Sequence, residues 1–303
     1  MKAIVVGMGV QGQKRKKVLG KDFVYSVDKF KKADFKLINQ APLEKYNTVF
    51  LCVPDSQKLK IIKYCISNKK NILVEKPLLA NTTKELKDLE KSAVKKKVVL
   101  YSAYNHRFEP SIKKLKELIQ SKKMGKIYNC RIFYGNGTSY LVKKSKWRDK
   151  RLGVISDIGS HLLDICMFLF GKKINRFKTI KINKFENKAS DHALLKIEIN
   201  KISIELEMTL CMWKNTFTCD LIASKGSAHL NSLCKWDRNS FIYRKRKFPS
   251  GKPKEKILFF KKGDPTWKEE YLFFKKLIKT NKKTNLKKDI IINSKFMELK
   301  KFT

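Results

Sequence analysis

The sequence predicts an α/β domain built on a parallel sheet, followed by an α+β domain with a largely antiparallel open sheet. Three observations carry that expectation. Strand-like and helix-like segments alternate from residue 2 to residue 103. A G-x-G-x-x-G turn follows the first of those strands. Several strand-like runs then succeed one another without helices between them. A chain of 303 residues is long enough for two domains, each burying its own core. The expected division is 1–118 and 119–303.

Lys2 to Val6 is a short β-branched apolar run, the pattern of a strand buried on both faces. Residues 7–12 form the turn after it and 13–19 the opening helix. Residues 23–27 read as a strand ending at Asp28, and 48–53 as another, ending at Val53 and closed by Pro54. Residues 59–67 have helical spacing, 71–74 is a strand, 83–93 is a helix capped by Asn81 or Thr82, and 98–103 is a strand. The pattern then changes. A helix at 110–121 and an alternating strand at 127–134 lead to a helix at 157–170 and strands at 174–182, 192–199, 202–210 and 217–223. Residues 244–263 are basic and poor in periodicity, an extended hairpin or loop, and 267–279 and 290–301 are closing helices. No internal repeat is visible.

Hydrophobic residues at 42% and aromatics at 11% indicate a folded, globular chain. The apolar run 158–170 is interrupted by Ser160, His161 and Asp164 and falls short of the roughly 18 residues a membrane span needs, so no membrane partner is expected. The seven cysteines are scattered without metal-ligand or C-x-x-C spacing and read as reduced residues of a cytoplasmic protein. The net charge of +43 is mostly lysine spread over both halves, with Arg244 to Lys247 the densest patch. Beside abundant Ile and Asn this reads as a solvated surface of biased composition. No zinc-finger spacing, RNP-type aromatic motif or helix-turn-helix accompanies it, so no specific nucleic-acid partner is expected.

Gly7-Met8-Gly9-Val10-Gln11-Gly12 is a complete dinucleotide-binding turn in context, after a strand and opening a helix. The first glycine makes the turn, Gly9 admits a pyrophosphate against the backbone, and Gly12 allows close packing, while the helix N-terminus offers N–H groups to phosphate. Asp28, ending the second strand, is placed to accept from ribose hydroxyls and to repel a 2′-phosphate. NAD is the expected cofactor. NADP stays open because Lys29, Lys31 and Lys32 follow closely.

Glu75-Lys76-Pro77 follows a buried strand, which puts Lys76 at the carboxyl edge of the sheet, where a lysine can stabilise charge developing on a reacting oxygen. Asp157, His161 and Asp164 are spaced to share one helix face, and most residues between them are apolar or small. A histidine suits proton transfer near neutral pH, and a carboxylate one turn away can orient its ring. A pair that only staples the domain has the same spacing. No metal ligand set is apparent.

Taken in order, the pieces Gly7 to Gly12, Val53-Pro54, Glu75-Lys76-Pro77, Tyr104-Asn105-His106-Arg107-Phe108, Trp147-Arg148 and Asp157 to Asp164 resemble the glucose-fructose oxidoreductase, inositol dehydrogenase and rhizopine-catabolism (MocA-type) family. The resemblance implies an NAD(P)-dependent oxidoreductase transferring a hydride between nicotinamide and a sugar, polyol or nucleotide-sugar carbon. It implies a catalytic group of Lys76, Asp157 and His161, with His161 as general acid or base. Gly7, Gly9, Val10, Gln11, Gly12, Asp28, Val53, Pro54, Glu75 and Lys76 would bind the cofactor. Tyr104, Asn105, Arg107, Trp147, Arg148, Asp157 and His161 would bind substrate, with an ion-pair role equally open for Arg107. The resemblance assigns no catalytic role to His106, His192 or His229. It also implies a homodimer or homotetramer joined through the open face of the second sheet. Two departures stand out: Lys58 replaces a histidine common in the family, which is expected to alter a cofactor-loop contact, and the glycine cluster before Asp157 is thinned to Gly153. Arg131, Lys143, Lys144 and Arg148 are expected near the pocket and favour a phosphorylated or nucleotide-linked sugar. A non-catalytic NAD(P)-binding sensor on the same fold is the alternative, and retention of Lys76, Asp157 and His161 weighs against it.

Overall fold

A computed structural model describes residues 1–145, 148–280, 284 and 286–299. The chain divides into two compact units. The first comprises Met1–Asn105 and Trp267–Ser294, and the second His106–Thr266 with the residues from Lys295 onward.

In the first unit, β1 (Ala3–Val6), β2 (Phe23–Val27), β3 (Thr48–Leu51), β4 (Asn71–Glu75) and β5 (Leu100–Ala103) form a parallel sheet in the order β2-β1-β3-β4-β5. Between them run α1 (Val10–Leu19), α2 (Asp55–Ser67) and α3 (Thr83–Lys95). Strand residues alternate between two cores, as the twofold period of a strand requires. Ile4, Val6, Val49, Leu51, Ile72 and Val74 pack with Ile62, Cys65 and Ile66 of α2 and with Leu86, Leu89 and Ala93 of α3. Ala3, Val5, Phe50 and Leu73 face the opposite way, with Leu19 of α1. Thr82 caps α3 by accepting from Glu85 N–H, and the Glu85 side chain returns the bond, which decides between the two cap residues the sequence offered.

The second unit opens with α4 (Pro110–Gln120), followed by β6 (Ile127–Gly137), α5 (Ser139–Lys143), a π-helical turn at Ile155–Gly159 and α6 (Ser160–Phe170). Then come β7 (Ile174–Asn183), β8 (His192–Ile199), β9 (Ile202–Thr209), β10 (Cys211–Ala223), β11 (Gly226–Asn231), β12 (Asn239–Lys245) and β13 (Lys254–Phe260). These strands form one sheet in the order β13-β12-β11-β10-β6-β9-β8-β7. Every described pair is antiparallel except β6 with β9. The basic stretch 244–263 thus resolves into the outer hairpin of β12 and β13, while β11 and the start of β12 carry too little periodicity to be read from sequence. One sheet face is buried, through Ile204, Leu206 and Met208 of β9 and Cys130, Ile132 and Tyr134 of β6. Charged residues such as Arg131 and Glu205 alternate onto the other face and pair at 3.2 Å. Arg131, expected near the pocket, is therefore on the opposite side of the sheet from Tyr134, because strand parity separates odd from even positions.

The expected domain limits of 1–118 and 119–303 differ from these units at both ends. Helix α4 packs with α6, β11 and β12, burying Ile112 and Leu115, so it belongs to the second unit. Helix α7 (Thr266–Lys279) instead returns to the first sheet, where Tyr271 and Phe274 complete the core around Ala3, Val5 and Phe50. The Phe274 ring meets Phe50 edge-on at 5.7 Å. Helix α8 (Lys287–Leu299) starts three residues earlier than expected, and its Leu286 and Asn293 neighbourhood also serves the first unit, Asn293 accepting from Ala80 N–H at 3.1 Å. Among the described residues no helix is long and apolar enough to cross a membrane.

Candidate functional site

In the first unit, close contacts leave no room for side chains at the first and last glycines of the turn, Gly7 and Gly12. Gly7 has φ +93° and its N–H donates to Val27 O at 2.8 Å. A Cβ on Gly12 would overlap the carbonyl oxygen of Gly7, whereas a Cβ on Gly9 would meet nothing. The backbone at Gly9 thus faces open space at the start of α1, whose first-turn N–H groups have no acceptor within the helix. Val10 and Gln11 are exposed there. Val53 lies beside Gly7, and Pro54 precedes the first turn of α2.

Asp28 holds this turn in place. Its Oδ2 accepts from Met8 N–H at 2.6 Å, and its Oδ1 accepts from Phe30 and Lys31 N–H at 2.9 Å each. Burial works against its ionisation, but the N–H groups of Lys31, Met8 and Phe30 outweigh it and hold the carboxyl below its ordinary value. A carboxylate has about four acceptor positions. With three filled by backbone, one remains for a ribose hydroxyl. These features fit a dinucleotide: a cradle without Cβ atoms, free helix N–H groups, and an acid fixed at the second strand's end.

Glu75 and Pro77, on either side of Lys76, are anchored from two directions. The Glu75 carboxylate accepts from Arg15 Nε at 2.6 Å, and Arg15 also reaches Glu270 of α7 at 2.8 Å. Lys58 is buried, and its ammonium donates to the carbonyl of Glu75 at 2.7 Å and that of Pro77 at 2.8 Å, while pairing with Asp55 at 2.7 Å. Lys58, the departure expected to alter a cofactor-loop contact, braces the backbone on both sides of Lys76. Lys58→Met is expected to leave those carbonyls and Asp55 without their donor and to cost about 2–3 kcal/mol. Urea denaturation measures this, and a loss below about 0.5 kcal/mol would show that the brace is dispensable. Tyr104 is buried under the Lys288 ammonium at 4.5 Å, and Asn105 is buried at the end of the unit.

In the second unit, of the three residues expected on one helix face, Asp157 lies in the π-helical turn and His161 and Asp164 lie in α6. Asp157 lies within that turn and accepts from Arg148 at 2.9 Å. His161 lies in the first turn of α6, is 8% exposed, and stacks on His106 with ring centroids 3.9 Å apart. Asp164 is 1% exposed and takes a two-pronged ion pair from Arg107, whose guanidinium also lies over Phe168. Of the two roles open for Arg107, the ion pair is the one the geometry displays. Trp147 lies outside the described residues. Among the described residues no group of three or more His, Cys, Asp and Glu side chains is placed to hold a metal.

Two residues here carried no functional assignment from sequence. His106 is one, although it belongs to the Tyr104–Phe108 motif. The other is Lys235, which donates to Tyr134 Oη at 2.8 Å and lies 3.2 Å from His106 Nε2. In so lysine-rich a chain nothing local distinguishes it. His229 shows the opposite case. It links Asp220 at 2.6 Å and Ser227 at 2.8 Å in the hydrogen-bond order of a hydrolase triad. Yet β11 is paired on both sides, by β10 and β12, so its N–H groups are spent on the ladders and cannot form an oxyanion hole.

Comparison with known proteins adds the following. Residues 2–104 match the family model described as the oxidoreductase family, NAD-binding Rossmann fold, and residues 112–229 match that of the GFO/IDH/MocA C-terminal domain. The chain is 28% identical over 126 residues to scyllo-inositol 2-dehydrogenase (NADP(+)) of Bacillus subtilis, covering 41% of this chain and 34% of that protein. It is 29% identical over 106 residues to glucose-6-phosphate 3-dehydrogenase of the same organism, covering 33% and 30%. The aligned segments thus span about a third of the length of these curated relatives. Solved structures of similar fold include levoglucosan dehydrogenase in complex with NADH, with TM-score 0.85 at 16% identity over 100% of this chain and 97% of that one. UDP-N-acetylglucosamine 3-dehydrogenase from Acidithiobacillus ferrooxidans gives TM-score 0.80 at 14% identity over 98% and 96%.

Proposed function

The chain belongs to the GFO/IDH/MocA oxidoreductase family, and on that premise we propose that it is a dehydrogenase or ketoreductase acting on CH–OH groups of a sugar, polyol or nucleotide sugar. Its first unit is an NAD-binding Rossmann fold. The observation that carries the proposal is the glycine turn locked to the Asp28 carboxylate, a cofactor cradle that a purely structural turn does not need. When bound, NAD supplies a hydride acceptor or donor at its nicotinamide ring.

The chain's own residues manage charge and protons. Lys76 Nζ stabilises negative charge on the reacting oxygen, and its neighbours Glu75 and Pro77 hold it there through Arg15 and Lys58. The Nδ1 of His161 is buried, which leaves Nε2 to take the hydroxyl proton in oxidation and to return it in reduction. Asp157, fixed by Arg148, orients the group. Tyr104, Asn105 and Trp147 complete the proposed substrate contacts. Arg131 and Arg148 are engaged by Glu205 and Asp157, which removes two of the charges that pointed to a phosphorylated or nucleotide-linked sugar. A neutral sugar or polyol therefore fits the second unit better. Self-association as a dimer or tetramer through the open sheet face belongs to the same proposal.

The test is a screen of NAD and NADP reduction, followed by nicotinamide absorbance, over sugars, polyols and nucleotide sugars. Turnover with an alcohol is the expected result. Tight cofactor binding without turnover on any member would favour the sensor alternative. On cofactor choice, Asp28→Ser removes the carboxylate that repels a 2′-phosphate, and the preference for NADH over NADPH is expected to fall about tenfold, or 1.4 kcal/mol. Fluorescence titration of both reduced cofactors measures it, and an unchanged ratio would relieve Asp28 of that role.

A further inference from the structure

His161 does not stand alone: its ring is stacked on His106, 3.9 Å between centroids and 35° between planes, and His106 is in turn bonded at Nε2 by Lys235. Lys235 is carried on the segment after β11, and that segment is tied down next door. Glu109, fully buried at the start of α4, accepts from Cys234 N–H at 3.2 Å and from Asn239 Nδ2 at 3.4 Å. Tyr134, from β6, accepts the second Lys235 bond at 2.8 Å and lies 5.5 Å from His106 ring to ring. Three separate segments thus converge on one imidazole, all within the second unit.

We propose that Lys235 is a positioning residue for proton transfer: by donating to Nε2 of His106 it holds that ring neutral with its proton on Nδ1, so any further proton that the stacked imidazole pair takes up is carried on His161. An ammonium has only donors, so both of its contacts require acceptors. A neutral imidazole that accepts at Nε2 has its proton on Nδ1. Protonating His106 would set N–H against N–H at 3.2 Å and place two like charges together, which the stack on His161 would make worse. Burial lowers the pKa of Lys235 to about 8, against the carboxylates of Asp264, Glu109 and Asp157 that favour its charge, so it remains largely an ammonium at neutral pH. Further titratable neighbours are the Tyr134 phenol and the Cys234 thiol, the latter pushed up by burial to about 12.

The inference rests on the dehydrogenase reading only for what His161 does with its proton, and the test needs neither cofactor nor substrate. The chain has four histidines, so ring-labelled protein gives a resolvable set of imidazole signals, assigned by removing His192 and His229 in turn. In the unmodified protein at pH 7, the nitrogen shifts of His106 are expected to report the neutral Nδ1–H tautomer. In Lys235→Met, His106 is expected to gain protons at a pKa higher by about one unit or more, and Lys235→Arg is expected to restore the original behaviour. An Nε2–H or doubly protonated His106 at pH 7, or an unaltered His106 titration in Lys235→Met, would overturn the proposal. If the methionine variant does not fold, the tautomer in the unmodified protein decides alone. A failed substrate screen would remove the dehydrogenase reading yet leave this result readable.

Discussion

Arg15→Met is expected to destabilise the protein by about 3–5 kcal/mol, the cost of breaking a buried charge network by removing one member. Arg15 is 1% exposed, and its guanidinium sits between Glu75 at 2.6 Å and Glu270 at 2.8 Å, under the Trp267 ring at 4.3 Å. Burial opposes its charge, but the two carboxylates outweigh burial and hold its pKa above the ordinary value. Methionine preserves much of the volume, so the loss measures the stranded carboxylates rather than a cavity. Glu270 is fully buried, and burial raises its pKa in the folded state while Arg15 pulls it back. A folded-state pKa raised above the unfolded one means that the native state binds more protons, so stability falls as pH rises through the folded value. Without Arg15 that value rises further, and the deficit of the variant should be larger at pH 8 than at pH 5. Urea denaturation at the two pH values checks both magnitude and sign. A deficit under about 1 kcal/mol, or one that grows on acidification, would contradict the assignment.

The second large effect is on turnover. With a substrate identified by the screen, His161→Ala is expected to lower kcat by about 10²- to 10⁴-fold, the usual contribution of a positioned acid or base, which is about 3–5 kcal/mol of barrier. The dissociation constant for NADH should stay where it was, because the cradle of Gly7, Gly9, Gly12 and Asp28 belongs to the first unit and His161 to the second. The two readouts separate loss of chemistry from loss of binding. Should the variant turn over at the original rate, His161 would be out of the mechanism and Lys235 would have nothing to position.

Much of this was legible along the chain. The alternation of strands and helices and the glycine turn are local patterns, and they located five parallel strands and the cradle within a few residues. The cap at Thr82 is equally local, whereas α2 begins at Asp55, four residues before the helical spacing read from the sequence. The candidate site was legible only as a set of residue types. Asp157, His161 and Asp164 read as one face because regular helical spacing was assumed, and the five-residue π-helical turn breaks that spacing. Asp157, in that turn, meets Arg148, while His161 and Asp164, three residues apart in α6, meet the adjacent His106 and Arg107.

The sequence by itself determined the fold class, the family and the cofactor cradle, since these depend on periodicity and on glycines whose role is set by their immediate neighbours. Only the tertiary structure decided which charges are paired. Arg15 finds Glu270 across 255 residues, Lys235 finds His106 across 129, and Lys58 finds Pro77 across 19. It also decided that helix α7 closes the first core rather than the second. The physical reason is that a lysine or arginine carries no local pattern that names its partner. In a chain with a net charge of +43, burial is what separates the few working cations from the solvated majority.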